Sequence, residues 1–154
     1  MSALVASVAR KVDDDCRANT CKKGNCSVSM NGAPAQRLIV DLDCATLPIQ
    51  EDQKRCDYLF IGEQDNTAWV APIELKGGSF KVKDVVEQLQ GGSNVADSWL
   101  PFESPFQFVP VMAYGKGARK KDFSDLRGSK ITLRGKKEKI KLIRCGAELV
   151  SKLK

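Results

Sequence analysis

An α/β fold with a mixed central sheet and flanking helices, in one domain, is what this 154-residue chain predicts. Three observations carry that expectation. Three apolar, β-prone runs follow one another between residues 37 and 77, joined by polar links. A run with helical spacing comes next, placing Val82, Val85, Val86 and Leu89 at i, i+3, i+4 and i+7. A further apolar run, "FQFVPVMAYG" (106–115), then returns the chain to strand.

Taken in order, residues 2–12 carry Leu4, Val5, Val8 and Val12 at the spacing of an amphipathic helix. No basic residue precedes that apolar segment, so it does not read as a signal peptide, and a cytoplasmic setting is the expectation. Residues 13–34 are polar and rich in cysteine, and read as a loop or small inserted knuckle ending in "NGAP". "RLIVDLDC" (37–44), "CDYLFIG" (56–62) and "TAWVAPIELKG" (67–77) read as three strands. The link "EQDN" has hairpin character, which makes the second and third strands antiparallel neighbours. The helix of "KVKDVVEQLQ" is expected to end near Gly91 and Gly92, with Ser93 capping a further helical turn toward Trp99. "SKITLRG" and "EKIKLIRCG" are expected to pair as a C-terminal β-hairpin with one basic face. The predicted order is therefore α-β-β-β-α-β plus a basic hairpin.

Composition narrows the chemistry. At 42% hydrophobic and 29% charged residues the chain has a soluble globular balance, and no apolar run approaches a membrane span. It has no histidine, which excludes Ser-His-Asp and Cys-His catalysis and zinc sites built on imidazole. Catalysis would have to run on carboxylates, lysines, thiols or a metal held by oxygen or sulfur. Charge is uneven: residues 1–115 hold 11 Lys/Arg against 15 Asp/Glu, whereas residues 116–154 hold 14 against 4. Such a basic section is the footprint of a polyanion-binding face, or else a solvated lysine-rich surface.

The third strand raises a sharper point. A nearly pure apolar run carries Glu74 and Lys76, which share a face because alternate residues of a strand do. Asp57, at the start of the preceding strand, falls beside Glu74 if the two strands form a hairpin. Two adjacent carboxylates do not both ionise cheaply, and a divalent cation relieves that cost. Mg²⁺ suits such a site, since it takes one or two carboxylates and keeps waters for the rest. The Leu75 carbonyl is a further candidate ligand. Lys76 would orient water and offset charge developing on a phosphate.

This arrangement resembles the PD-(D/E)XK, or restriction-endonuclease-like, nuclease superfamily. The residues that carry the resemblance are Asp57, then Glu74-Leu75-Lys76 on an apolar strand, then a helix with Gln88-Leu89. Cys56 stands where the name-giving proline would, and a second (D/E)-x-K match, Asp52-Gln53-Lys54, lies in a polar loop. The resemblance implies an α-β-β-β-α-β core and Mg²⁺-dependent (or Mn²⁺-dependent) hydrolysis of DNA phosphodiesters, with RNA also open. It implies catalytic roles for Asp57, Glu74, Lys76 and Gln88. It implies a metal held by Asp57, Glu74, the Leu75 carbonyl and an upstream acid: Glu51, Asp43 or a carboxylate of the first helix region. Arg119, Lys120, Lys121, Arg134, Lys136 and Lys137 become candidates for gripping the nucleic-acid backbone. A homodimer or a larger protein assembly would answer the need to cut two strands.

Cys16, Cys21 and Cys26 recur every five residues, with Cys44, Cys56 and Cys145 in or beside apolar strands. Zinc or an iron–sulfur cluster on the first three is the minor reading, because no C-x₂-C pair exists. Free or opportunistically paired thiols are the major one, and Cys145 reads as a core residue. Two alternatives stand beside the nuclease: a non-catalytic nucleic-acid-binding module, and a thiol-metal-binding subunit of a larger assembly.

Overall fold

In a computed structural model, which describes residues 3–50 and 52–153, the chain is a mixed α/β protein built on a central mixed sheet. Glu51 lies outside the described residues. Helix α1 (Ala3–Ala9) is followed by a single 3-10 turn (Asp14–Cys16), β1 (Arg17–Ala18), β2 (Cys21–Lys23) and β3 (Cys26–Val28). Then come β4 (Gln36–Asp41), β5 (Tyr58–Gln64), β6 (Thr67–Lys76) and α2 (Val82–Trp99). The chain continues through β7 (Gln107–Phe108), β8 (Val111–Tyr114), α3 (Lys120–Arg127), β9 (Lys130–Leu133) and β10 (Lys136–Lys139). It closes with β11 (Lys141–Arg144) and α4 (Val150–Leu153).

The main sheet runs β1-β4-β5-β6-β8-β11, with β7 also on β6. Strands β4, β5 and β6 form an antiparallel meander, while β8 is parallel to β6 and β11 to β8. The hairpin between β5 and β6 is closed by Asp65 and Asn66, both at positive φ (52° and 64°). That is the two-residue turn whose twist matches its strands, and Asn and Asp tolerate it best. Pro110, which has no N–H to give a ladder, separates β7 from β8, so the single run 106–115 becomes two short strands.

Apolar side chains alternate across the sheet and build a core on each face. Leu38, Val40, Leu59, Ile61, Val70 and Met112 pack with α1, α2 and Leu126 of α3 on one side. Ile39, Phe60, Ala71, Ile73, Val111 and Ile143 pack with Val28 of β3 and Leu149 and Leu153 at the C-terminal end on the other. A sheet buried on both faces explains why β6 reads as continuously apolar.

Four sequence expectations are corrected here. Helix α2 does not end at Gly91 and Gly92 but runs through them to Trp99. The two glycines answer a close approach: a Cβ on Gly91 would overlap the Lys54 carbonyl oxygen, and one on Gly92 the Cys56 sulfur. The segment 13–34 is not a plain loop, since β1 edges the main sheet and β2 and β3 form their own hairpin. The C-terminal hairpin is β9 with β10, turned at Arg134 and Gly135 (φ 50° and 79°), and "KLIR" leaves it to become β11 of the main sheet. All four residues of β10 are exposed, whereas Ile143 of β11 has an apolar face to bury. Cys145 is not a simple core residue but is disulfide-bonded to Cys26, and Cys16 is bonded to Cys44. The helix α3 falls in a stretch that periodicity had not marked.

Arg134 has a defined structural task. Its guanidinium donates to the carbonyls of Asp97, Leu100 and Pro101 and pairs with the Asp97 carboxylate, closing the C-terminal end of α2. A cation there also opposes the negative end of the helix dipole. Arg134→Ala is expected to lower stability by about 2 kcal/mol, from lost charge-assisted bonds to otherwise orphaned carbonyls. Urea denaturation measures it; an unchanged midpoint would show the cap to be dispensable.

Candidate active site

The pairing of β5 with β6 sets Tyr58 opposite Ile73, so Asp57, one residue before β5, comes level with Glu74. Both carboxylates are buried, Asp57 to 5% exposure and Glu74 to 0%. Backbone amides lock both: the Asp57 amide donates to Glu74 Oε1 at 3.1 Å, and the amide of Leu75, the residue after Glu74, donates to Asp57 Oδ2 at 2.8 Å. Strand pairing and side-chain bonding thus fix one geometry. Gly91 and Gly92 of α2 press on residues 54–56 and so hold the approach to Asp57 from behind.

Each remaining carboxylate oxygen meets an ammonium. Lys76 Nζ stands 3.0 Å from Glu74 Oε2, and Lys23 Nζ, from the β2–β3 hairpin, 2.9 Å from Asp57 Oδ1. Burial, and after it the Asp57 charge, push the Glu74 carboxyl up to about 7 from its ordinary 4.5, with Lys76 pulling the other way. The hydrogen bond to Asp57 raises the Lys23 ammonium above its ordinary range. The two carboxylates are thus matched by two ammoniums, and burial makes the charged form of Glu74 the costly one.

Of the residues expected here, Asp57, Glu74, Leu75 and Lys76 are brought together. Gln88 lies on α2 one position before the buried Leu89, and its Oε1 is buried without a hydrogen-bond partner among the described residues. Among the described residues no hydrogen bond joins it to Asp57 or Glu74. Asp43 pairs with Arg55 at 3.4 Å and, with Asp41, Lys22 and Lys23, borders a small cavity of about 200 Å³ over Asp57. Lys23 escaped sequence reasoning, because nothing local links position 23 to position 57.

The expected backbone-gripping residues fall on two elements, not on one hairpin. Arg119 begins α3, its amide bonded to the Asp122 carboxylate at 3.0 Å, and Lys120 and Lys121 fill the exposed first turn. Cations at a helix start add to the positive end of its dipole, so that turn concentrates positive potential. Lys136 rests over the Phe106 ring at 5.2 Å and Lys137 is exposed. Arg134 is committed to α2.

Mg²⁺ prefers hard oxygen donors, one or two of them carboxylates. Asp57 and Glu74 supply two buried carboxylates of that kind, burial raising the Glu74 carboxyl to about 7. Among the described residues no group of three or more Cys, Asp or Glu side chains is placed to hold a metal ion. The three clustered cysteines do not meet: Cys16 and Cys26 are bonded to different partners and Cys21 is a buried free thiol, pushed up to about 12 by burial. None of the described helices is long and apolar enough to cross a membrane.

A cation at the carboxylates must take Asp57 Oδ1 from Lys23, whose side chain is half exposed and free to swing away. Lys23→Gln is expected to tighten Mg²⁺ binding about tenfold, the usual scale of one nearby like charge. Titration calorimetry of both proteins decides it; equal affinities would place the metal elsewhere. Comparison of the chain with models of known protein families, with curated proteins and with solved structures finds no match.

Proposed function

We propose that this chain is a metal-dependent endonuclease that hydrolyses phosphodiester bonds in DNA at Asp57, Glu74 and Lys76. The observation that carries the reading is the locked pair: two buried carboxylates level with each other, Glu74 fixed by the Asp57 amide and Asp57 by the Leu75 amide, with a lysine two residues after Glu74. An ion pair kept only for stability gains little from burial, since desolvation offsets its attraction. A site of this kind has a purpose if its two carboxylates receive a metal ion in exchange for an ammonium.

Asp57, Glu74 and the Leu75 carbonyl would hold Mg²⁺, which neutralises phosphate charge and makes water easier to deprotonate. The chain's own residues do the rest. Lys76, only 22% exposed, keeps an ammonium at the mouth, where it orients the attacking water and offsets charge on the phosphate. Gln88, on α2, would bring its amide to the same site. The exposed Arg119, Lys120 and Lys121 and the Lys136–Lys137 pair attract the backbone from two sides, giving affinity without sequence preference.

Incubation with supercoiled and linear DNA plus Mg²⁺ or Mn²⁺, beside a Lys76→Ala variant, tests the reading. Metal-dependent cleavage present in the parent and lost in the variant is expected. Retained binding with no cleavage on any substrate would leave a non-catalytic binding module.

A further inference from the structure

Next to the carboxylates three parallel strands end together. Lys76 is the register partner of Tyr114, and Tyr114 that of Arg144. Cross-strand partners share a face, so these side chains form one row across the C-terminal ends of β6, β8 and β11. That is the edge of an α/β sheet where ligands collect. A cavity of about 600 Å³ opens there, lined by Tyr114, Lys116, Phe123 and Arg144 with Asn25 and Gly77.

Its chemistry is mixed in a telling way. Tyr114 and Phe123 meet edge to face at 4.8 Å, and the Arg127 guanidinium stands 5.9 Å from the centre of the Phe123 ring. Neither Lys116 nor Arg144 takes part in an ion pair among the described residues. The rim is tight: a Cβ on Gly115 would overlap the Gly77 carbonyl oxygen, and the Gly115 amide bonds the Lys76 carbonyl at 2.9 Å. The cavity is therefore tied directly to the residue after Leu75. A phosphate alone would need the two cations but not the aromatic wall. An apolar ligand would need the wall but not the cations.

We propose that this cavity takes an unpaired nucleotide of the strand being cut, its base against Phe123 and Tyr114 and its phosphate between Lys116 and Arg144. Aromatic stacking with flanking cations is how single strands are held without sequence reading, and the volume suits one nucleotide. The inference rests on the nuclease reading and narrows its substrate to single-stranded or locally unpaired DNA.

The test is fluorescence quenching of an adenine analogue in a short single-stranded oligodeoxynucleotide, with chelator present so that nothing is cut. The parent is expected to quench the analogue. Phe123→Leu and Arg144→Gln are each expected to weaken binding about tenfold, the scale of one stacked base, with Phe123→Tyr restoring it. In parallel, cleavage with Mg²⁺ is expected to be faster beside an unpaired nucleotide than in full duplex, and Phe123→Leu to erase that preference. Undiminished binding in Phe123→Leu and Arg144→Gln, with Lys76-dependent cleavage intact, overturns the pocket and leaves the nuclease. Binding lost in those variants while no substrate is ever cut supports the pocket and overturns the nuclease.

Discussion

Glu74→Gln is expected to abolish metal-dependent cleavage, by about a thousandfold or more, and at the same time to change how stability depends on pH. The substitution keeps the shape, so Oε1 can still accept the Asp57 amide, but it removes the charge that a cation would answer. Burial, then the Asp57 charge, raise the Glu74 carboxyl to about 7 in the folded chain, whereas the unfolded chain releases that proton near 4.5. Between those values the folded state holds more protons than the unfolded one. The contribution of the protonated form is therefore complete below about 4.5 and is lost as pH rises through about 7. By linkage the swing is about 3 kcal/mol, and Glu74→Gln should lack it. Urea denaturation across that range without divalent cation shows the slope, and Mg²⁺ above neutral pH should raise the melting temperature of the parent alone. A variant that keeps the slope would mean that another group carries the proton.

Gly91→Ala is expected to destabilise the chain by about 2–3 kcal/mol, although alanine inside a helix is ordinarily favoured by about 1 kcal/mol. The added Cβ would overlap the Lys54 carbonyl oxygen and lie 2.5 Å from its carbon, and neither is the end of a flexible side chain. Either α2 lifts from the sheet or residues 54–56 move, and Asp57 follows directly. Cleavage should fall along with stability, because a small displacement of Asp57 breaks its bond from the Leu75 amide. Thermal melting and the DNA assay together measure both. A variant as stable as the parent would show that the helix glycines answer something other than this contact.

How much of this could be read in advance depended on the range of the interaction. The alternation of β5 and β6, with Asp65 and Asn66 between them, placed Asp57 beside Glu74, because a two-residue turn leaves only one register that buries the apolar faces. The stripe of Val82, Val85 and Leu89 likewise marked α2, and the uneven charge marked the basic section. Where a group's partner is distant in the chain, periodicity says nothing. Gly91 and Gly92 read locally as a helix end, and only the approach of Lys54 and Cys56 makes them helix interior. Lys23 reaches Asp57, Arg134 closes α2, and Cys26 meets Cys145 across separations that no local pattern encodes. The sequence by itself thus determined the three-strand meander, the start of α2 and the carboxylate pair, since these follow from hydrophobic spacing and a tight turn. The tertiary structure alone decided what neutralises those carboxylates, which cysteines join and where the C-terminal strand goes, since each depends on surfaces brought together only when the sheet is packed.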